Sequence, residues 1–259
     1  MGICGGTFAK IDTRFNQANS LEKSTKGNSM RISVLIGATA LFAASLQAAD
    51  AKDEVTNAAK KLAGKSNYSW RATVEVPDDA QFRPGPTEGE IETGKLIHFT
   101  SSFNDNVSHT FIKGDKGAIS DQYGDYQSLD ELENEEGFAR FRAIRARMFK
   151  APAEQAIDLA AASKSLKKDG DSYASDLTEE GAKSLMRFGG REGPTVSNAK
   201  GSVKFWLKDG LLAKYEFSAV GTMDVNGNDF EIDRVTTVQI KNIGTTKIKV
   251  SEAAEKKLK

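Results

Sequence analysis

Chemistry in this chain would have to come from few residue types, because 259 residues include two histidines, His98 and His109, and one cysteine, Cys4. A metal centre needs three or four converging ligands, and a nucleophilic triad needs an imidazole beside its serine or cysteine. Alternating runs from Lys95 to Phe103 and from Val107 to Lys113, joined by Asn104-Asp105-Asn106, predict a hairpin. The register that sets Phe103 against Val107 also sets Phe99 against Phe111. It puts His98 on one face and His109 on the other, opposite Ser101, so neither a metal site nor a histidine-based triad is expected. Asp224, Asp229 and Asp233 could serve a hydrolase, but they sit beside Asn226-Gly227 and read as turn and solvent-face residues. The run Gly189-Gly190-Arg191-Glu192-Gly193-Pro194 lacks the Lys-Ser/Thr ending of a phosphate loop and follows a helix, not a strand. The expectation is a protein without cofactor or metal that is not an enzyme.

Two sets of arginines remain. Arg140, Arg142 and Arg147 lie, with Lys150 just beyond, on one side of a helix predicted from Ser128 to about Phe149, with a break at Gly137. Ser128 and Glu131 form a capping box at its start. Its basic side either touches phospholipid headgroups or an acidic partner, or is a solvated face balanced by Glu131, Glu133, Glu135 and Glu136. Arg234 falls by register on an apolar face, where an unpaired guanidinium is costly. Its partner is either an anionic headgroup or carbonyl of a lipid, or a carboxylate such as Glu180.

The elements that position Arg234 are three consecutive strands between Asn198 and Ile243. Asn226-Gly227 pins the second turn, because a type I′ turn needs positive φ at both positions. Counting back pairs Met223 with Phe230, Gly221 with Ile232, Ala219 with Arg234, Phe217 with Thr236, Tyr215 with Val238 and Ala213 with Ile240. Before it, Asp209-Gly210 closes a hairpin read with a three-residue loop, which sets Leu207 against Leu211, Phe205 against Ala213 and Val203 against Tyr215. Strands of some fourteen residues, about 45 Å at roughly 3.3 Å per residue, must twist and coil. Gly221 can bend the sheet in mid-strand. The expected fold is α+β: a strongly curved antiparallel sheet, an unclosed half-barrel, with helices covering its apolar concave face.

Residues 1–49 read as an address. Arg31, the apolar run Ile32 to Leu46 and the small-residue exit Gln47-Ala48-Ala49 describe a signal peptide over residues 30–49, and the run is short of the about twenty residues that a membrane span needs. Residues 1–29 are then an over-extended start. The myristoylation pattern fails because Gly6 stands where Ser or Thr is required. Cleavage after Ala49 leaves residues 50–259 as a single domain without cysteine, carrying 31 basic and 34 acidic side chains. Such a chain is exported to a periplasmic or extracellular space, folds without disulfides and has no general pull toward nucleic acid. A monomer is expected.

The remaining elements follow in order. Ala51 to Lys65 is an amphipathic helix and Tyr68 to Val76 a first long strand, followed by a Pro-rich loop from Pro77 to Pro86. Gly89 to Thr93 is a second strand. Short strands stand near Ala118 and Tyr126. Ala153 to Ala162 is a second covering helix, Lys164 to Asp176 a hairpin and Glu179 to Arg187 a helix capped by Thr178. Thr246 to Val250 and a fraying charged tail end the chain.

This element order, with the Gly201-Ser-Val-Lys-Phe-Trp-Leu-Lys-Asp-Gly210 meander, resembles the superfamily of the bacterial outer-membrane lipoprotein carrier (localisation factor A) and the mycobacterial lipid-binding lipoproteins. The resemblance spans about Ala51 to Val250 and implies a carrier or sensor of acyl chains in an apolar cavity. The residues point the same way, since Trp70, Phe99, Phe111, Tyr215, Phe217 and Phe230 are placed on the inner face, with Arg234 among them. They either line a pocket for a lipid or acylated protein, or pack as core beneath the helices. In the second case the protein is an exported interaction or structural module with no small ligand.

Overall fold

The computed structural model describes residues 36–80, 83–92, 94, 96–103, 106–187, 194–225 and 227–259. Helix α1 (Ile36–Ala63) leads into β1 (Asn67–Glu75), β2 (Thr87–Glu92), β3 (Leu96–Phe103), β4 (Asn106–Lys113), β5 (Lys116–Ser120) and β6 (Tyr126–Ser128). Three helices follow, α2 (Leu129–Glu133), α3 (Phe138–Arg147) and α4 (Pro152–Ala162). Then come β7 (Lys167–Asp169), β8 (Ser172–Asp176), α5 (Glu179–Met186), β9 (Thr195–Lys200), β10 (Ser202–Lys208), β11 (Leu211–Val225), β12 (Asn228–Lys241) and α6 (Glu252–Lys257). The twelve strands make one sheet in the order β6-β5-β4-β3-β2-β1-β12-β11-β10-β8-β7, with β9 added to β11. Every pairing is antiparallel, and the edges β6 and β7 do not meet, so the half-barrel stays open.

The β11–β12 hairpin has the register that Gly227 anchors, from Val225 opposite Asn228 to Tyr215 opposite Val238. The hairpin before it differs from the sequence expectation. Asp209 and Gly210 both take positive φ, 53° and 69°, so the turn has two residues and Lys208 faces Leu211. A bulge then skips Ala213. Leu207 therefore faces Leu212, while Phe205 faces Tyr215 and Val203 faces Phe217. The extra residue shifts the inward phase by one, so Leu212, Tyr215, Phe217 and Ala219 are buried on β11 and Leu211 is only half-buried.

Helix cover is built from small residues. On α4, Ala153, Ala156 and Ala160 are buried, which lets α1 approach through Val55, Ala59 and Leu62. Pro152 occupies the first turn of α4, where its missing N–H costs no hydrogen bond. The predicted break at Gly137 separates α2 from α3, with Gly137 at φ 64°. The Ser128–Glu131 capping box is present on α2.

Helix α1 starts at Ile36, ahead of the Ala51 expected from the sequence. One further expectation is corrected. The tail does not fray: Ser251 caps α6, which buries Ala254 and Leu258 against Phe111 and Ala118 on the convex face. Lys257 Nζ, 2.7 Å from Glu131 Oε1, ties this helix to α2. The run 189–193 lies outside the described residues.

Candidate functional site

The inner face is filled in its middle, with a cavity to one side. Tyr215 is fully buried at the centre and its hydroxyl donates to Gln155 Oε1 of α4 at 2.6 Å. Burial, with Tyr68 close by, raises its pKa well above 10, so it serves as a neutral donor. Phe205, Phe217 and Trp70 are buried around it. Trp70 lies across Gly89, where a Cβ would come 2.0 Å from the indole Cζ2, so this strand position admits only glycine without moving the ring.

Below them is a cavity of about 500 Å³. Ile91, Ile97 and Ile112, neighbours in register across β2, β3 and β4, make its floor. Leu129, Ala146, Phe149, Ala151 and Ala153 cover it, with Tyr68 and Ala63 at one side. Its mouth carries Glu92, Asp115, Glu154 and Arg147. Phe149 forms the wall toward the filled centre, its ring 4.6 Å from Phe99 and 5.9 Å from Trp70 between centroids. Burial pushes the Tyr68 hydroxyl up to about 12, so it stays neutral beside the cavity.

The far ends of β11 and β12 carry the remaining residues expected on the inner face. Ala219 faces Arg234, Gly221 faces Ile232 and Met223 faces Phe230. Phe230 is 48% exposed. Met186 of α5 closes over Gly221, its Cε 3.1 Å from where a Cβ would stand. Arg234 Nη2 donates to the Leu185 carbonyl at 2.7 Å. It does not meet Glu180, which pairs with Arg187 at 2.8 Å. Arg145 of α3 is the neighbouring charge, and it lowers the Arg234 pKa further after burial has lowered it.

The predicted basic face does not exist as a unit. Arg142 reaches inward, donating to Ser108 Oγ at 2.9 Å and to the Ser120 carbonyl. Arg147 is bound to Asp130 at 2.6 Å and to Glu133, and donates to the Asp115 carbonyl. The hydrogen-bonded Glu133 carboxylate raises its pKa. Arg140 is exposed and makes no ion pair among the described residues.

The β3–β4 hairpin overturns the histidine reading. His98 faces Phe111 and Thr100 faces His109, one step from the expected register. Both imidazoles therefore share the convex face, with His98 Nε2 3.1 Å from His109 Nδ1 and His98 Nδ1 3.2 Å from Glu90 Oε2. Phe111 goes with them, stacked 4.3 Å from His98 and away from the concave side where it was expected. Phe99, now opposite Thr110, stays on the concave face. Among the described residues no cluster of His, Cys, Asp and Glu has the numbers to hold a metal ion. Sequence reasoning missed Phe149 and the three isoleucines, whose shared row needs the correct β3–β4 register.

No family model matches the chain, and no curated relative matches it. Solved structures do. The Mycobacterium tuberculosis lipoprotein LppX matches at TM-score 0.43 and 8% identity, over 78% of this chain and 99% of that one. LprF from Mycobacterium bovis matches at TM-score 0.45 and 10% identity, over 80% and 98%. A LolA superfamily protein from Nitrosomonas europaea matches at TM-score 0.33 and 9% identity, over 78% and 95%.

Proposed function

We propose that this protein is an exported, non-enzymatic binding protein that holds a lipid or acyl chain against its concave face. The observation that carries the reading is the cavity of about 500 Å³ between the Ile91–Ile97–Ile112 row and the α3–α4 connection. Its size falls within the ordinary range of ligand sites, about 300–1,000 Å³, and its lining combines the apolar isoleucine row with the charged Glu92, Asp115, Arg147 and Glu154. Burying each methylene there is worth about 0.8 kcal/mol. Phe149 is the movable wall: it lies outside regular helix and separates the cavity from the aromatic centre. Rotation of its ring would extend the cavity toward Trp70 and Phe99. Trp70, Phe99, Tyr215 and Phe217 thus back the chain site, while Phe230 and Arg234 lie on the far half of β12. The domain that does this is residues 50–259, monomeric, with residues 30–49 removed on export.

Binding of a fluorescent fatty-acid probe tests the reading. The probe brightens on the wild type and is displaced by unlabelled fatty acid. Ile97→Glu places a carboxylate on the cavity floor and weakens the probe at least tenfold. A probe that stays dark on wild-type protein, or binds Ile97→Glu equally, would overturn it.

A further inference from the structure

A length of open strand edge lies in the middle of the sheet. On one side β12 pairs with β11 from Asn228, opposite Val225, to Gln239, opposite Lys214. On its other side β1 accompanies it only from Val235 to Lys241, with Glu75 opposite Val235. β1 stops there because Pro77 follows within two residues and has no N–H to give to a ladder. The chain then turns toward β3, where Gly85 lies against Ser102. Among the described residues no strand therefore runs beside Asn228 to Arg234 on that side. The row is about 23 Å long at roughly 3.3 Å per residue. Every second residue turns its N–H and C=O outward, which makes a template for one more strand.

Side chains alternate along this row. Phe230, Ile232 and Arg234 point to the inner face, opposite Met223, Gly221 and Ala219. Phe230 is 48% exposed and Ile232 half-buried, as expected where a neighbouring strand is missing. Asp229, Glu231 and Asp233 take the convex face and are exposed. Asp224 faces Asp229 across the hairpin. Among the described residues none of these four carboxylates makes an ion pair. Glu231 accepts only from Thr222 Oγ1, at 3.1 Å, and Asp224 from the Gly227 N–H, at 3.1 Å. The acidic row disfavours a second copy of this chain as the occupant. Two such edges paired antiparallel would set carboxylates against carboxylates at about 4.5–5.5 Å, where like charges repel.

We propose that this edge of β12 takes an extended strand from a partner whose lysines or arginines alternate with apolar residues. The guest's cations lie beside Asp229, Glu231 and Asp233, and its apolar side chains cover Phe230 and Ile232. Main-chain hydrogen bonds supply affinity, and the alternating side chains fix register and partner. None of these residues lines the cavity, so the edge works independently of lipid binding.

Fluorescence anisotropy on the purified protein compares three labelled heptapeptides. One alternates lysine with valine, one alternates glutamate with valine, and one is the lysine peptide with proline for its central valine. The lysine peptide should bind at least tenfold more tightly than either of the others and slow amide hydrogen exchange in Asn228 to Arg234. Glu231→Lys combined with Asp233→Lys, both at exposed positions, should lose the lysine peptide and gain the glutamate peptide. Equal binding of the lysine and proline peptides would overturn strand addition, since charge alone would then account for binding. No binding of the lysine peptide, or binding that the double substitution leaves unchanged, would overturn it as well. A dimer in sedimentation whose formation slows exchange in the same residues would assign the edge to a second copy and overturn the partner.

Discussion

Replacing Arg234 by Met should make the ligand-free protein more stable. Met is close to the aliphatic stem of Arg in volume and suits a site between Met186, Ile232 and Ala219. Taking an ion out of water costs several kcal/mol even after relaxation. Against that, the wild type has one hydrogen bond from Arg234 to a neutral carbonyl, at 2.7 Å, worth about 1.5–3 kcal/mol for a charged donor. Relief of burial exceeds the lost bond, and the net gain is about 1–2 kcal/mol. For a domain of roughly 200 residues each kcal/mol moves Tm by about 2–4 °C, so the rise is about 2–8 °C. Urea unfolding followed by circular dichroism measures it, on delipidated protein because bound ligand would stabilise the wild type by mass action. A loss of more than about 1 kcal/mol at unchanged m would refute the reasoning, since it would mean that Arg234 holds the fold together.

Three more outcomes follow from the packing. Gly89→Val drives a side chain into the Trp70 indole, where even a Cβ would stand at 2.0 Å; overpacking of this kind costs about 1–3 kcal/mol or more and should alter tryptophan emission. An unchanged urea midpoint would contradict that close approach. Deleting residues 251–259 uncovers Phe111 and Ala118 and removes the Lys257–Glu131 ion pair. Loss of about 2–3 kcal/mol with new binding of an apolar dye is expected, whereas a frayed, dispensable tail would leave both unchanged. Burial lowers the His98 pKa, an effect that outweighs the hydrogen bond that its Nδ1 donates to Glu90. The native state then binds fewer protons than the unfolded one below the ordinary value of about 6.5. Stability is complete above that value and falls as pH drops through it toward the folded pKa, by at most about 1.4 kcal/mol per pH unit. His98→Gln should flatten the slope of the urea midpoint between pH 6.5 and 5; a wild-type midpoint that rises over that interval would contradict the sign.

Where a turn pinned the register, sequence and structure agree. Asn226-Gly227 admits one hairpin geometry, and the whole β11–β12 pairing follows from it, with Arg234 on the inner face. The Asn104-Asp105-Asn106 turn has no such constraint, and α6 covers the convex side of β4 and β5 while α2 and α3 cover the concave side. With both faces buried, alternation no longer tells inside from outside, and the register was read one step off. That step separated His98 from His109 and sent Phe111 to the wrong face. Ala213 misled in another way, since a bulge inserts one residue without any composition signal. The α6 cap at Ser251 was visible as Ser-x-x-Ala, but the surrounding lysines hid the buried Ala254 and Leu258. The cavity could not be read at all. Its lining comes from four strands and helices, and its volume depends on how far the α3–α4 connection stands from the isoleucine row.

The central claim is that the concave face holds a lipid. Native mass spectrometry with organic extraction, on residues 50–259 purified from an exporting bacterial host, tests it most directly. The account predicts an added mass that extraction identifies as a lipid or fatty acid and that Ile97→Glu protein lacks. A bare protein mass that added fatty acids, phospholipids and acylated peptides all fail to shift would contradict it.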